Sequence, residues 1–204
     1  LDKFKPAPLF LDREKSLTCS MTFQFKIQLK NITKPPVWRR VLVPAQFSFQ
    51  RFHFVIQEVF GWEKCHLFQF SPGSFGSEPV IRDPYEDGEP FMNAARTKMD
   101  KIFKQEGQTF TYIYDFGDGW EHAITLEKIT ADDTKLADCL AGKGTCPPED
   151  CGGPWGYRNL IEVLKDPKNP EYKEMKDWLG MKDDEEWDAD CFDLEDVRAM
   201  VRLV

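Results

Sequence analysis

The chain has 204 residues, 41% of them hydrophobic and 14% aromatic, which excludes a disordered chain and leaves room for a core without disulfide staples. Net charge is −8, split as +7 over residues 1–52 and −15 over the rest. A duplex-coating protein is basic overall, so general nucleic-acid binding is disfavoured; a protein or acidic partner, or nucleic acid through residues 26–51, stays open beside plain charge matching within the chain.

No window approaches the ~20 apolar residues of a membrane span, and the opening LDKFKPAPLFLDREK lacks a signal-peptide core. The expectation is a cytoplasmic protein without a membrane partner. Residues 1–20 read as an extension or tail, and residues 21–204 as one α+β domain: a sheet-forming part to 130, then a Cys/Pro/Gly loop and helices over 131–204. Six cysteines, at 19, 65, 139, 146, 151 and 191, read in such a chain as thiols or ligands.

Phe23, Phe25, Ile27 and Leu29 alternate with polar residues, the period of a strand with one buried face. After the turn-prone NITKPP, the β-rich VWRRVLV predicts a second strand and a hairpin. Ser48 caps a predicted helix whose residues Phe49, Phe52, Ile56, Val59 and Phe60 share a face, with Gly61 as its stop. A strand over 66–70 completes a β-β-α-β unit, an order that admits a ubiquitin-like grasp topology. Residues 71–92, rich in Gly and Pro, predict a long excursion with one short strand near Val80. A short helix capped by Thr97 follows, and three helical patterns over 157–164, 170–179 and 194–203 close the chain. Asn169 before Pro170 and Asp193 are their caps. The acidic run from Asp183 fails the calcium-loop pattern.

YDFGDGWEH, residues 114–122, gathers three carboxylates and a histidine around two glycines. A three-residue loop, Gly117 to Gly119, sets Phe116 opposite Trp120, Tyr114 opposite His122 and Tyr112 opposite Ile124, making one face aromatic and aliphatic. In that register His122 lies at the edge of the aromatic face. Asp115 and Glu121 oppose each other, a like-charge pair that needs a basic neighbour, water or a cation. Asp118 sits at the tip.

Cys139, Cys146 and Cys151 lie on a Gly/Pro-rich segment that suits soft-metal coordination, and with His122 they make a candidate Cys3His zinc set, although the spacing matches no CxxC knuckle. Thiols packed under a rigid loop are the alternative. Glu149 and Asp150 with Cys151 and His122 admit a cysteine nucleophile and base, but no helix N-terminus or oxyanion motif accompanies them.

YIYDFGDGWEHAITLEK, then CPPEDCGGPWGYRNLIEVLKDPKNPEYKEMKDWLG and FDLEDV, with IQLKNITKPPVWRRVLVP near the start, resemble the Ri-plasmid open-reading-frame-three-like family, also labelled transposon passenger TnpR-like. The resemblance covers about residues 21–200. It implies an α+β domain of plasmid, transposon-associated and chromosomal genes with no established activity. A resolvase, which the TnpR label suggests, needs a serine among arginines, and Ser16, Ser20 and Ser48 have no such setting.

The functional expectation is a non-catalytic binding or regulatory module, with Asp115, Asp118, Trp120, Glu121, Glu149, Asp150, Arg39 and Arg40 as candidate binding residues. The alternative is a zinc protein or metal-dependent hydrolase built on the hairpin and the CPPEDC loop.

Overall fold

The computed structural model describes residues 20–83 and 90–204. Most of the expected N-terminal tail and most of the loop tip at 83–88 lie outside the described residues.

β1 (Thr22–Thr33) and β2 (Pro36–Pro44) form the expected antiparallel hairpin, with Phe25 opposite Val41. Phe23, Phe25, Ile27 and Leu29 are buried, and the polar residues between them are half-buried, as the alternation requires. α1 (Phe49–Phe60) starts where the Ser48 hydroxyl accepts the Arg51 N–H at 3.2 Å. β3 (Phe68–Ser71) begins later than the pattern suggests and leaves His66 in the connecting loop.

The excursion holds β4 (Ile81–Arg82) and β5 (Met92–Asn93). α2 (Met99–Ile102) follows, but Thr97 does not cap it: Lys98 occupies that position, and the Thr97 carbonyl instead accepts the Phe49 N–H at 3.0 Å. β6 (Thr109–Tyr114) and β7 (Trp120–Thr130) are the aromatic hairpin. β8 (Asp138–Lys143) is a strand that its glycine and alanine conceal, so Cys139 is not in a loop but pairs with Val41 of β2. α3 (Gly153–Leu164), α4 (Tyr172–Trp178) and α5 (Leu194–Val201) are the three C-terminal helices.

All the strands join one sheet in the order β5-β4-β3-β6-β7-β1-β2-β8. β1 pairs antiparallel with both its neighbours, and the parallel pair is the short peripheral β4–β5. The fold is therefore α+β with a mixed sheet, but it is not the grasp topology that the element order admits. The core lies between α1 and the aromatic faces of β1, β3, β6 and β7, where Phe25 meets Phe52 at 4.9 Å and Phe70 meets Tyr112 at 4.7 Å. Tyr157, Leu160 and Val201 join the same core from the C-terminal helices. No helix among the described residues is long and apolar enough to cross a membrane.

Candidate metal centre

The hairpin keeps its predicted faces but not its predicted register. Tyr114 faces Trp120, Tyr112 faces His122 and Phe110 faces Ile124, a shift of two residues. The loop has five residues, closed by the Gly119 N–H on the Asp115 carbonyl at 2.7 Å. Both Asp115 (φ 51°) and Gly119 (φ 65°) are left-handed, which lets the chain reverse over this length. Glu121 consequently faces Ile113 rather than Asp115, and Lys30 pairs with it at 2.9 Å. The predicted like-charge opposition does not form.

His122 is not at the edge of the aromatic face but fully buried within it. Its Nδ1–H donates to the Trp120 carbonyl at 3.0 Å, and its Nε2 accepts the Trp62 indole N–H at 3.3 Å. Burial pushes its pKa down to about 3, so the ring is neutral and both nitrogens are occupied. The thiols behave likewise: burial pushes Cys139 up to about 11, Cys151 up to about 12, and Cys146 well above the ordinary value. Among the described residues, His122, Cys139, Cys146 and Cys151 belong to neither cluster of potential ligands.

Those clusters form around a residue outside the predicted set, His66. One is Cys65, His66 and Glu149; the other is His66, Asp115 and Asp150, the ligand atoms of each lying within 4.8 Å of one another. His66 Nδ1 stands 3.8 Å from Asp115 Oδ1, while Nε2 stands 3.6 Å from Glu149 Oε2 and 3.3 Å from Asp150 Oδ1. The Glu149 side chain is only 10% exposed, and its Oε1 is fixed by the Tyr114 hydroxyl at 2.9 Å and the Glu63 N–H at 2.8 Å. Burial, reinforced by that bond to Glu149, raises the Tyr114 pKa, so the phenol stays a donor. Oε2 of Glu149 and Nε2 of His66 are buried without a hydrogen-bond partner.

The backbone holds these groups in place. The Asp115 carboxylate accepts the Gly117 N–H at 2.9 Å. Of the four non-glycine residues with positive φ among the described residues, Lys64, Asp115 and Asp150 all flank His66. The cysteine loop folds back over the hairpin, with the Gly152 N–H on Asp118 Oδ2 at 3.1 Å. A Cβ on Gly153 would meet the Asp118 carbonyl at 2.5 Å, so only glycine allows this approach.

The remaining predicted residues are elsewhere. Trp120 is fully buried in the core. Arg39 is also buried, and donates to the carbonyls of Val59, Trp38, Lys143 and Gly144, so it is no part of a basic surface. The β-strand alternation turns it inward with Val37 and Val41. Arg40, on the other face, forms a two-point pair with Glu127 at 2.6 and 2.9 Å. The local signal for the missed residue was the adjacent pair Cys65-His66 just beyond the helix stop.

A mixed eight-stranded sheet with an aromatic hairpin, overlaid by a Cys/Pro/Gly loop that brings carboxylates to an imidazole, defines the class of protein. The chain belongs to the family of plasmid pRiA4b ORF-3-like proteins, whose sequence pattern matches residues 21–196. It is 37% identical over 162 residues to uncharacterized protein y4hQ of Sinorhizobium fredii (strain NBRC 101917 / NGR234), covering 78% of this chain and 81% of that one. It is also similar to the crystal structure of a protein of unknown function, MM3350, from Methanosarcina mazei Go1. That likeness has a TM-score of 0.74 at 35% identity, over 88% of this chain and 98% of the other.

Proposed function

We propose that the protein is a non-catalytic metal-binding module whose ion, of zinc type, ties the loop at 149–152 to the hairpin and to the segment before β3. The observation that carries this reading is the buried pair His66 Nε2 and Glu149 Oε2, without hydrogen-bond partners and 3.6 Å apart. That separation is too long for a hydrogen bond. It matches the roughly 3.3–3.7 Å between neighbouring ligands of a tetrahedral ion with bonds of about 2.0–2.3 Å. Asp150 Oδ1, 3.3 Å from the same nitrogen, fits that spacing too.

In this reading His66 Nε2 and Glu149 are ligands and Cys65 supplies a thiolate, with the Asp150 carboxylate beside the same nitrogen and the Asp115 carboxylate 3.8 Å from Nδ1 on the other edge of the ring. A mixed imidazole, carboxylate and thiolate set favours zinc over calcium or magnesium. The bound charge also answers an electrostatic need, since three carboxylates converge on one imidazole.

The test is untagged protein stripped with chelator and titrated with zinc, followed by elemental analysis after gel filtration. One zinc per chain is expected. His66→Ala and Glu149→Gln should each weaken binding by at least about tenfold, given what loss of even an outer-shell partner costs. Cys146→Ala and Cys151→Ala should leave the stoichiometry unchanged. Less than ~0.1 zinc per chain would overturn this reading.

A further inference from the structure

On the other side of His66 lies a second feature that the metal reading does not use. His53 is 4% exposed, stacked flat on Phe68 at 3.8 Å, with Nδ1 2.8 Å from the Tyr112 hydroxyl. Tyr112 is fully buried, and its oxygen already accepts an N–H from Gln57 Nε2 at 2.9 Å. Gln57 cannot take the phenol proton in return, because its Oε1 is directed at the Lys64 N–H, 2.9 Å away. The phenol proton therefore goes to His53 Nδ1, which fixes the tautomer with its proton on Nε2. Burial lowers the His53 pKa to about 3, with the charge of Lys64 adding to it, so the ring carries that single N–H at neutral pH.

Among the described residues His53 Nε2 makes no hydrogen bond, and the ring lines a neighbouring space. That space is a cavity of about 210 Å³ bounded by His53, Phe54, Lys64, His66, Leu67, Phe68 and Asp83. Phe54 is 38% and Leu67 48% exposed, so apolar surface is spent at its mouth. The volume is below the roughly 300–1,000 Å³ of drug-sized sites.

We infer that this cavity binds a small molecule with a compact apolar body and one carboxylate, the carboxylate accepting from His53 Nε2–H and Lys64 Nζ while the body rests on Phe54, Leu67 and Phe68. Lys64 is paired with Glu58, and Asp83 on the rim accepts from Gln50 at 3.3 Å. Neither acid therefore presents a wholly free charge to the ligand. The inference does not require a cation at His66.

The test uses the full chain in chelator, with 4-methylpentanoate, its amide and 3-methylbutylamine as probes. The readout is long-range ¹H–¹⁵N spectra of the imidazoles, of which the chain has only three. The carboxylate should move the His53 Nε2 resonance saturably and leave His122 unmoved. The amide should bind at least about tenfold more weakly, because the charge-assisted bonds are lost. Lys64→Asn, which tolerates the left-handed backbone there (φ 62°), should lose a similar factor without lowering the melting temperature. Equal binding of the amide, preference for the amine, or no saturable shift would each overturn the inference.

Discussion

Arg39 carries a charge into the core, and its surroundings make that tolerable. Its guanidinium reaches the Val59 carbonyl at 2.6 Å, the Lys143 carbonyl at 2.8 Å, and those of Trp38 and Gly144 at 2.9 Å each. Phe60 and Phe192 lie over it at 5.1 and 4.4 Å. One side chain thus ties β2 to the end of α1, to β8 and to the segment before α5. Replacing it with Met fills the volume but leaves several buried carbonyls without a donor, each costing about 1–3 kcal/mol. Arg39→Met should therefore destabilise by about 3–5 kcal/mol in urea denaturation. Arg40→Ala, which breaks a half-exposed pair with Glu127, should cost less than about 1 kcal/mol. Equal effects would mean that the buried network contributes nothing special.

At the scale of elements, the loop over the hairpin depends on a contact that only glycine permits. Gly153→Ala adds a Cβ 2.5 Å from the Asp118 carbonyl at a residue with φ 66°. The loop must then lift, at a cost of about 1–3 kcal/mol. Hydrogen exchange should show the Gly152 N–H opening while β6 and β7 stay protected. The same elements show what was legible in the sequence. Period-two patterns located β1, β6 and β7 and their inward faces, β-rich composition located β2 but not its inward face, and Ser48 and Asp193 marked true caps. The hairpin register escaped, because a shift of two residues keeps every side chain on its face and the hydrophobic pattern cannot distinguish the alternatives. β8 escaped because Ala141 and Gly142 carry no strand signal. The His66 cluster escaped for a different reason: residues 65–66 and 115 meet through the β3–β6 pairing, and 149–150 reach them through the loop folding back over the hairpin, neither of which a local pattern encodes.

For the whole molecule, the two buried imidazoles set a pH response. His53 and His122 have folded-state pKa values lowered by burial to about 3, against about 6.5 in an unfolded chain. Between those values the unfolded state binds more protons than the folded one, so stability is fully present above about pH 6.5 and falls as pH drops towards 3. Each histidine contributes a slope of up to about 1.4 kcal/mol per pH unit, so both together cost up to about 4 kcal/mol between pH 6.5 and 5. That is a large share of the about 5–15 kcal/mol of an ordinary domain. Ion-paired carboxylates act lower down. The Arg40 bond lowers the Glu127 pKa, and Arg198 and Arg202 lower that of Asp138 against the opposing effect of burial. Their contribution is present above their unfolded values near 4 and is lost only as pH falls below them. The window from pH 6.5 to 5 therefore separates the two buried imidazoles from these two carboxylates. Urea denaturation in chelator, which removes any contribution from a cation at His66, should show the midpoint falling steadily across it. A flat midpoint would mean that the two rings reach water or a proton partner on this timescale, and that the aromatic core around Tyr112 is more open than its packing indicates.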